Sequence, residues 1–172
     1  MTALALAQAR AGGGRGVLRF GLLIAALTLG LDQLTKWLAR DALWQPERRI
    51  ELTGFLNLVP VENRGISFGL LDSEAGYGPW LIAGLALAIA CALLIWLART
   101  RRWLPALALG LIVGGALGNI VDRARLGWVI DFVDLHAGGY HWPAFNLADS
   151  GITIGVVLLL ADAAFRPSRR RS

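Results

Sequence analysis

The sequence predicts an α-helical integral membrane protein, with four transmembrane helices and a small β-sheet with loops on the outer membrane surface. Three observations carry that fold class. Hydrophobic residues make up 56% of the 172 positions and the mean hydropathy is +0.56, too apolar for a soluble domain of this length. The apolar residues gather into four segments of membrane-spanning length. The arginines gather at the ends of those segments rather than over one face, so the formal charge of +5 reads as a topology signal and not as a nucleic-acid footprint.

The first span is expected at about 17–38. Arg10, Arg15 and Arg19 precede its apolar stretch Phe20 to Leu31 in the manner of a signal peptide. The stretch runs directly into "DQLTKWLA" with no small-x-small cleavage site, so an uncleaved span with a polar outer end is expected. The second span, 79–98, has no charge and would be about 30 Å long as a helix. The third, 103–121, is rich in glycine and leads into "GNIVDR", and its run "GLIVGGALG" offers small residues for close helix packing. The fourth, 148–165, opens with Asp149 and carries a second acid, Asp162, expected at the opposite boundary. The short tracts "GGGRG" and "RPSRRRS" are expected to be disordered.

Basic residues flank the spans at Arg10, Arg15 and Arg19, at Arg99, Arg101 and Arg102, and at Arg166, Arg169, Arg170 and Arg171. The positive-inside rule puts all three regions on the cytoplasmic side, which needs four spans with both termini inside. The outer segments are then about 39–78 and 122–147. In the first, "RRIELTGFLNLVPVEN" alternates partly between apolar and polar and suits strands. Trp37, Trp44, Trp80, Trp128 and Trp142 suit an interfacial belt. The chain reads as a single membrane-embedded domain, 1–172.

Polar groups at membrane depth are costly and each requires a reason. Asp32, Lys36, Asn63, Arg64, Asn119, Asp122, Arg123, Asp131, Asn146 and Asp149 all fall near the outer boundary in this topology. Asp32 and Lys36 share a helix face and can pair, as can Asn119 and Arg123 by spacing. Arg123 suits either a clamp on a carboxylate or snorkelling to the interface. Asp149 suits a helix N-cap when considered alone. Two acids at one depth, with Asn63, Asn119 and Asn146 nearby, suit a carboxyl pair sharing one proton. One Cys (Cys91) and two His (His136 and His141) leave neither a disulfide nor a multi-ligand metal centre, so no metal and no cofactor is expected. There is no "HExxH", "GxSxG" or Cys–His pattern. The "DSG" at 149–151 is too short to indicate a soluble aspartic protease. A proton- or solute-coupled transporter would need polar residues through the full bilayer depth, and span two has no charge. A structural subunit of a larger complex would need no paired acids.

The chain closely resembles the bacterial lipoprotein signal peptidase family, also called signal peptidase II, over nearly its whole length. "DQLTK" (32–36) resembles the family's first-span motif, and "ENRGISFG" (62–69) its Asn-x-Gly segment. "GGALGNIVDR" (114–123), "VIDFVD" (129–134) and "FNLADS" (145–150) follow in the family's order. The resemblance implies catalytic acids at Asp131 and Asp149. It implies supporting or substrate-binding roles for Asp32, Lys36, Asn63, Gly65, Asn119, Arg123, Asn146 and Ala148. Where the family often has Ala-Ala or Ala-Ser after the Asn-x-Gly glycine, this chain has Ile66 and Ser67. The resemblance further implies an aspartic endopeptidase of the bacterial inner membrane with a periplasmic active site and a small periplasmic sheet. Its substrates would be prolipoproteins bearing diacylglycerol on a Cys, cut immediately before that Cys. Membrane lipid and cyclic peptide inhibitors such as globomycin would be its other partners, and the enzyme would act as a monomer.

Overall fold

The computed structural model describes residues 3–65 and 78–165. Its elements run α1 (Ala3–Trp44), β1 (Ile50–Thr53), β2 (Leu56–Asn63), α2 (Gly78–Arg99), α3 (Trp103–Leu126), β3 (Val129–Ala137), β4 (Tyr140–His141) and α4 (Leu147–Ala164). All four helices are long and apolar enough to cross a membrane. The expected spans therefore stand, but α1 and α3 continue as helix beyond their apolar stretches, to Trp44 and Leu126. Helical hydrogen bonding does not require lipid, so an amphipathic extension persists where the next element packs against it. The "GGGRG" stretch is helical and not disordered. Gly14 is buried where the Arg101 guanidinium lies across α1, a position a Cβ would occupy. Ile66, Ser67 and the "RPSRRRS" tail, which begins at Arg166, lie outside the described residues.

Helix α3 is central, packing on α1, α4 and α2. Its glycines make this possible, as the notional Cβ of Gly110 and Gly114 would strike the backbone carbonyls of Gly21 and Ala25 on α1. Gly115 stands equally close to the Ala148 carbonyl on α4. Packing is thus the role of the small-residue run, as its composition indicates. The outward surface of α1 and α2 is apolar and exposed, at Leu23, Leu27, Leu31, Leu81 and Leu85 among others, as a lipid-facing surface requires.

The sheet has four antiparallel strands in the order β1-β2-β3-β4. Both outer segments build it, the second contributing β3 and β4. Pro60 sits in β2, which has a neighbour on each side, and the β2–β3 register slips by one residue between Leu58 and Val61. A proline lacks the N–H a ladder needs, so an inner strand accommodates it at a bulge. Trp37, Trp80 and Trp142 are exposed as a belt would be. Trp44 and Trp128 instead stack on each other, 6.1 Å between ring centroids, and fasten the end of α1 to the start of the sheet.

Candidate active site

Chain geometry at the start of α4 sets the site. Asn146 is the N-cap, with its side-chain Oδ1 accepting from the Asp149 N–H at 3.0 Å. Asp149 returns the bond, its Oδ2 accepting from the Asn146 N–H at 3.3 Å. The pair forms a reciprocal capping box. Asp149 is therefore not the N-cap that its position suggested. It stands three residues inside the helix start, and its second oxygen is held by Asn119 Nδ2 at 2.8 Å.

The same Asn146 reaches the other acid. Its Nδ2 donates to Asp131 Oδ1 at 2.6 Å, and Asn63 Nδ2 donates to Asp131 Oδ2 at 2.7 Å. Asn63 and Asp131 are diagonal neighbours across the β2–β3 ladder. Asn63 is oriented in turn by Gly65, whose N–H donates to Asn63 Oδ1 at 2.8 Å. Gly65 has a φ of 77°, which favours glycine, and a Cβ there would crowd Arg123 and Ile82. All four carboxylate oxygens of Asp131 and Asp149 are thus positioned by asparagine N–H donors. Burial pushes the Asp131 carboxyl up to about 6. The Asn63 and Asn146 amides oppose that rise, and the charge of neighbouring Asp149 adds to it.

Behind the acids lies a buried ionic cluster. Lys36 Nζ meets Asp32 Oδ2 at 2.8 Å, Asp122 Oδ2 at 2.8 Å and Asn119 Oδ1 at 2.9 Å, so its three donors face three acceptors. Lys36, Asp32 and Asp122 are 1%, 0% and 3% exposed, which makes this an interior ion triad. Asp32 Oδ1 also accepts the Ala148 N–H at 2.9 Å, and Asp122 Oδ2 accepts the Ile130 N–H at 3.2 Å. One cluster therefore ties α1 to α3, to the start of α4 and to β3. Lys36 does not bond either acid of the pair; it reaches Asp149 through Asn119.

The structure thus brings together Asp131, Asp149, Asn63, Gly65, Asn119 and Asn146, with Asp32, Lys36 and Ala148 one layer behind. Arg123 donates to the Asn119 carbonyl at 3.4 Å. Its Nε is buried without a hydrogen-bond partner among the described residues. Sequence reasoning missed Gln33, whose Nε2 bonds Asp122 Oδ1 at 2.9 Å and the Gly118 carbonyl at 3.2 Å. The signal for it was its place inside "DQLTK", among residues already singled out. Beside Asp149 opens a groove of about 460 Å³ with mostly apolar walls, including Leu135, Trp142, Phe145, Thr153 and Ile154.

Comparison with known proteins gives one consistent result. A family model described as signal peptidase (SPase) II matches residues 24–165. A lipoprotein signal peptidase of Methylobacterium radiotolerans is 49% identical over 156 residues, covering 88% of this chain and 90% of the relative. One from Ralstonia nicotianae is 44% identical over 165 residues, 95% of this chain and 94% of the relative. A solved structure described as a bacterial membrane enzyme superposes with a TM-score of 0.72 at 30% identity, covering 86% of this chain and 94% of its own.

Proposed function

The chain belongs to the signal peptidase II family of membrane peptidases, and we propose that it cuts lipid-modified prolipoproteins with Asp131 and Asp149 as an aspartic dyad. The observation that carries this reading is Asn146, which bonds Asp131 through its side-chain amide and Asp149 through its backbone N–H. One residue thereby holds two carboxyls in a fixed mutual relation at the lip of a helix.

Two close carboxyls hold one proton between them, because the second ionisation places like charges side by side. The ionised member takes a proton from a water as that water attacks the scissile carbonyl carbon. The protonated member gives its proton to the carbonyl oxygen, and the product is a neutral tetrahedral diol. Collapse of the diol breaks the C–N bond: one hydroxyl gives its proton to the ionised member while the protonated member gives its own to the leaving nitrogen, so the dyad again holds one proton. Asn63, Asn119 and Asn146 keep the oxygens aimed throughout, which is preorganisation in place before substrate arrives. Arg123 donates to the backbone carbonyl of Asn119, the residue whose amide holds Asp149. No step calls for a metal.

The substrate is a prolipoprotein with diacylglycerol on its Cys, cut immediately before that Cys. The acids lie at the outer end of the helices. A lipid anchor held at the membrane surface brings the scissile bond to their depth and removes part of the entropy cost of attack. The enzyme is read as an inner-membrane monomer with a periplasmic site, and cyclic peptides such as globomycin as inhibitors of that site.

Incubation of the purified protein with a lipidated prolipoprotein, followed by mass spectrometry, tests the reading. A mass loss equal to the signal peptide, unchanged by a metal chelator and much slower when the Cys is unmodified, is expected. Equal rates on modified and unmodified substrate would remove the positional role of lipid. Loss of cleavage on chelation would remove the dyad mechanism.

A further inference from the structure

On the reverse face of the sheet from the dyad sits a polar bridge that the mechanism does not use. Asp131 and Asp134 are an odd number of residues apart on β3, so their side chains leave opposite faces of the sheet. Asp134 is buried and stands opposite Asn57 across the β2–β3 ladder. Asn57 Nδ2 donates to Asp134 Oδ2 at 2.8 Å, and His141 Nδ1 lies 2.8 Å from Asp134 Oδ1. His136 stacks on His141 with 5.0 Å between ring centroids. A line of polar contacts therefore crosses three strands, from β2 through β3 to β4. The Asn57 amide and the His141 ring together hold the Asp134 carboxyl below the usual carboxylate range.

β4 needs such a bridge. It is two residues long and follows a turn of two glycines, Gly138 and Gly139, both at positive φ, as tight hairpins require. A two-residue strand is marginal on backbone pairing alone. Immediately after His141 comes Trp142, whose N–H donates to the Leu135 carbonyl at 2.8 Å. By strand alternation, Trp142 faces away from the bridge, onto the side where it and Leu135 wall the groove beside Asp149. Trp142 is 60% exposed, so its neighbours alone do not immobilise it.

We propose that Asn57, Asp134 and His141 are positioning residues for substrate binding, holding β4 so that Trp142 stands as the wall of the apolar groove at Asp149. The groove then receives the apolar part of the peptide beside the scissile bond, and the bridge acts on it from behind without touching substrate or dyad. The proposal rests on the peptidase reading above.

Steady-state cleavage of a lipidated prolipoprotein by the parent and by H141A, H141N, W142A and H141A/W142A tests it. H141A should raise KM roughly 3–10-fold with kcat within about twofold, since ground-state contacts are lost and the dyad is not. W142A should do at least as much, and the double variant should match W142A, because His141 acts only through Trp142. H141N places an amide donor where Nδ1 stood and should return KM to within about twofold of the parent. If H141A does not fold, His141→Phe keeps the ring stack but cannot donate to Asp134, and its KM should rise as stated for H141A. An unchanged KM in both H141A and His141→Phe overturns the proposal, as does a fall in kcat at constant KM, or a double variant whose effects multiply. Failure of the parent to cut would overturn the peptidase reading and the bridge with it; cleavage by the parent with unaltered variants sinks the bridge alone.

Discussion

At Asn146 one side-chain amide and one backbone N–H reach two different carboxyls, so the spacing of the acids depends on a residue that carries no charge. The chemistry expected of the pair is testable by isosteric replacement. In Asp149→Asn the new side-chain oxygen can still accept the Asn146 N–H, so the capping box and the fold should survive. The amide can neither take a proton from water nor pass it on, and cleavage should fall by at least ~10²–10⁴-fold. Asp131→Asn should do the same, and the double variant should be scarcely worse than either, because the two act as a unit. A stable Asp149→Asn enzyme near full activity would reduce that acid to a helix-terminal acceptor. Asp131 also has a stability signature. Its carboxyl titrates at about 6 when folded against 3.8 ordinarily, so the folded state binds this proton more tightly than the unfolded chain. The resulting stability is fully present below 3.8 and is lost as pH rises through about 6. Melting in detergent should accordingly show Asp131→Asn gaining on the parent between about pH 4 and 6. A difference that stays flat across that range would mean the carboxyl is not perturbed by folding.

Among the elements, α3 carries both the packing surface and the ionic cluster. Its glycines let α1 and α4 come close, and Gly118 leaves room for the Asp32 carboxylate against the helix. The cluster then joins α1, α3, α4 and β3 through Lys36, Asp32 and Asp122. Removing the cation alone leaves two buried carboxylates without their partner. Lys36→Met, which keeps the side-chain length, should therefore destabilise the fold by about 3–5 kcal/mol, the usual penalty for breaking a buried pair from one side. Activity per folded molecule should fall less than in the dyad variants, because Lys36 reaches Asp149 only through Asn119. A Lys36→Met protein as stable as the parent would show that the cluster is dispensable to helix assembly. In the sheet, the bulge at Pro60 lets β2 place Asn57 on one face and Asn63 on the other, which is how one strand serves both the dyad and the bridge behind it.

Across the described residues, polar chemistry collects at one end of the helices and an ion pair closes the other. Asp162, the acid least suited to the dyad reading, pairs with Arg102 at 2.6 Å and fastens the N-cap of α3 to the last turns of α4. It lies far along α4 from Asp149 and takes no part in the candidate site. We propose from the arginine count that this end faces the cytoplasm and the sheet faces the periplasm. Compartment-sensitive reporters fused at Thr100 and at Gly138, in the turns at opposite ends of the molecule, should give opposite signals. Matching signals would contradict the orientation on which the lipid-anchored substrate depends.

The four spans, their boundaries to within a few turns and the common depth of the polar residues were legible in the sequence. Hydropathy and flanking charge report how a segment is solvated, and lipid solvation leaves little freedom in that respect. Asp131, Asp149, Asn63, Asn119 and Asn146 were legible for the same reason, as costly groups at one boundary, and the family motifs sharpened them. Which atom meets which was not. The N-cap moved from Asp149 to Asn146, Lys36 proved to stand one residue removed from the dyad, and "GGGRG" became helix against Arg101. Asp134 and His141 gave no sign of facing away from the dyad or of meeting Asn57. These pairings join positions far apart in the chain, as Ala148 with Asp32 at a separation of 116 residues. Only the close approach of helices on glycine and the one-residue slip of β2 brings such partners within hydrogen-bonding distance, and neither follows from a local pattern of residues.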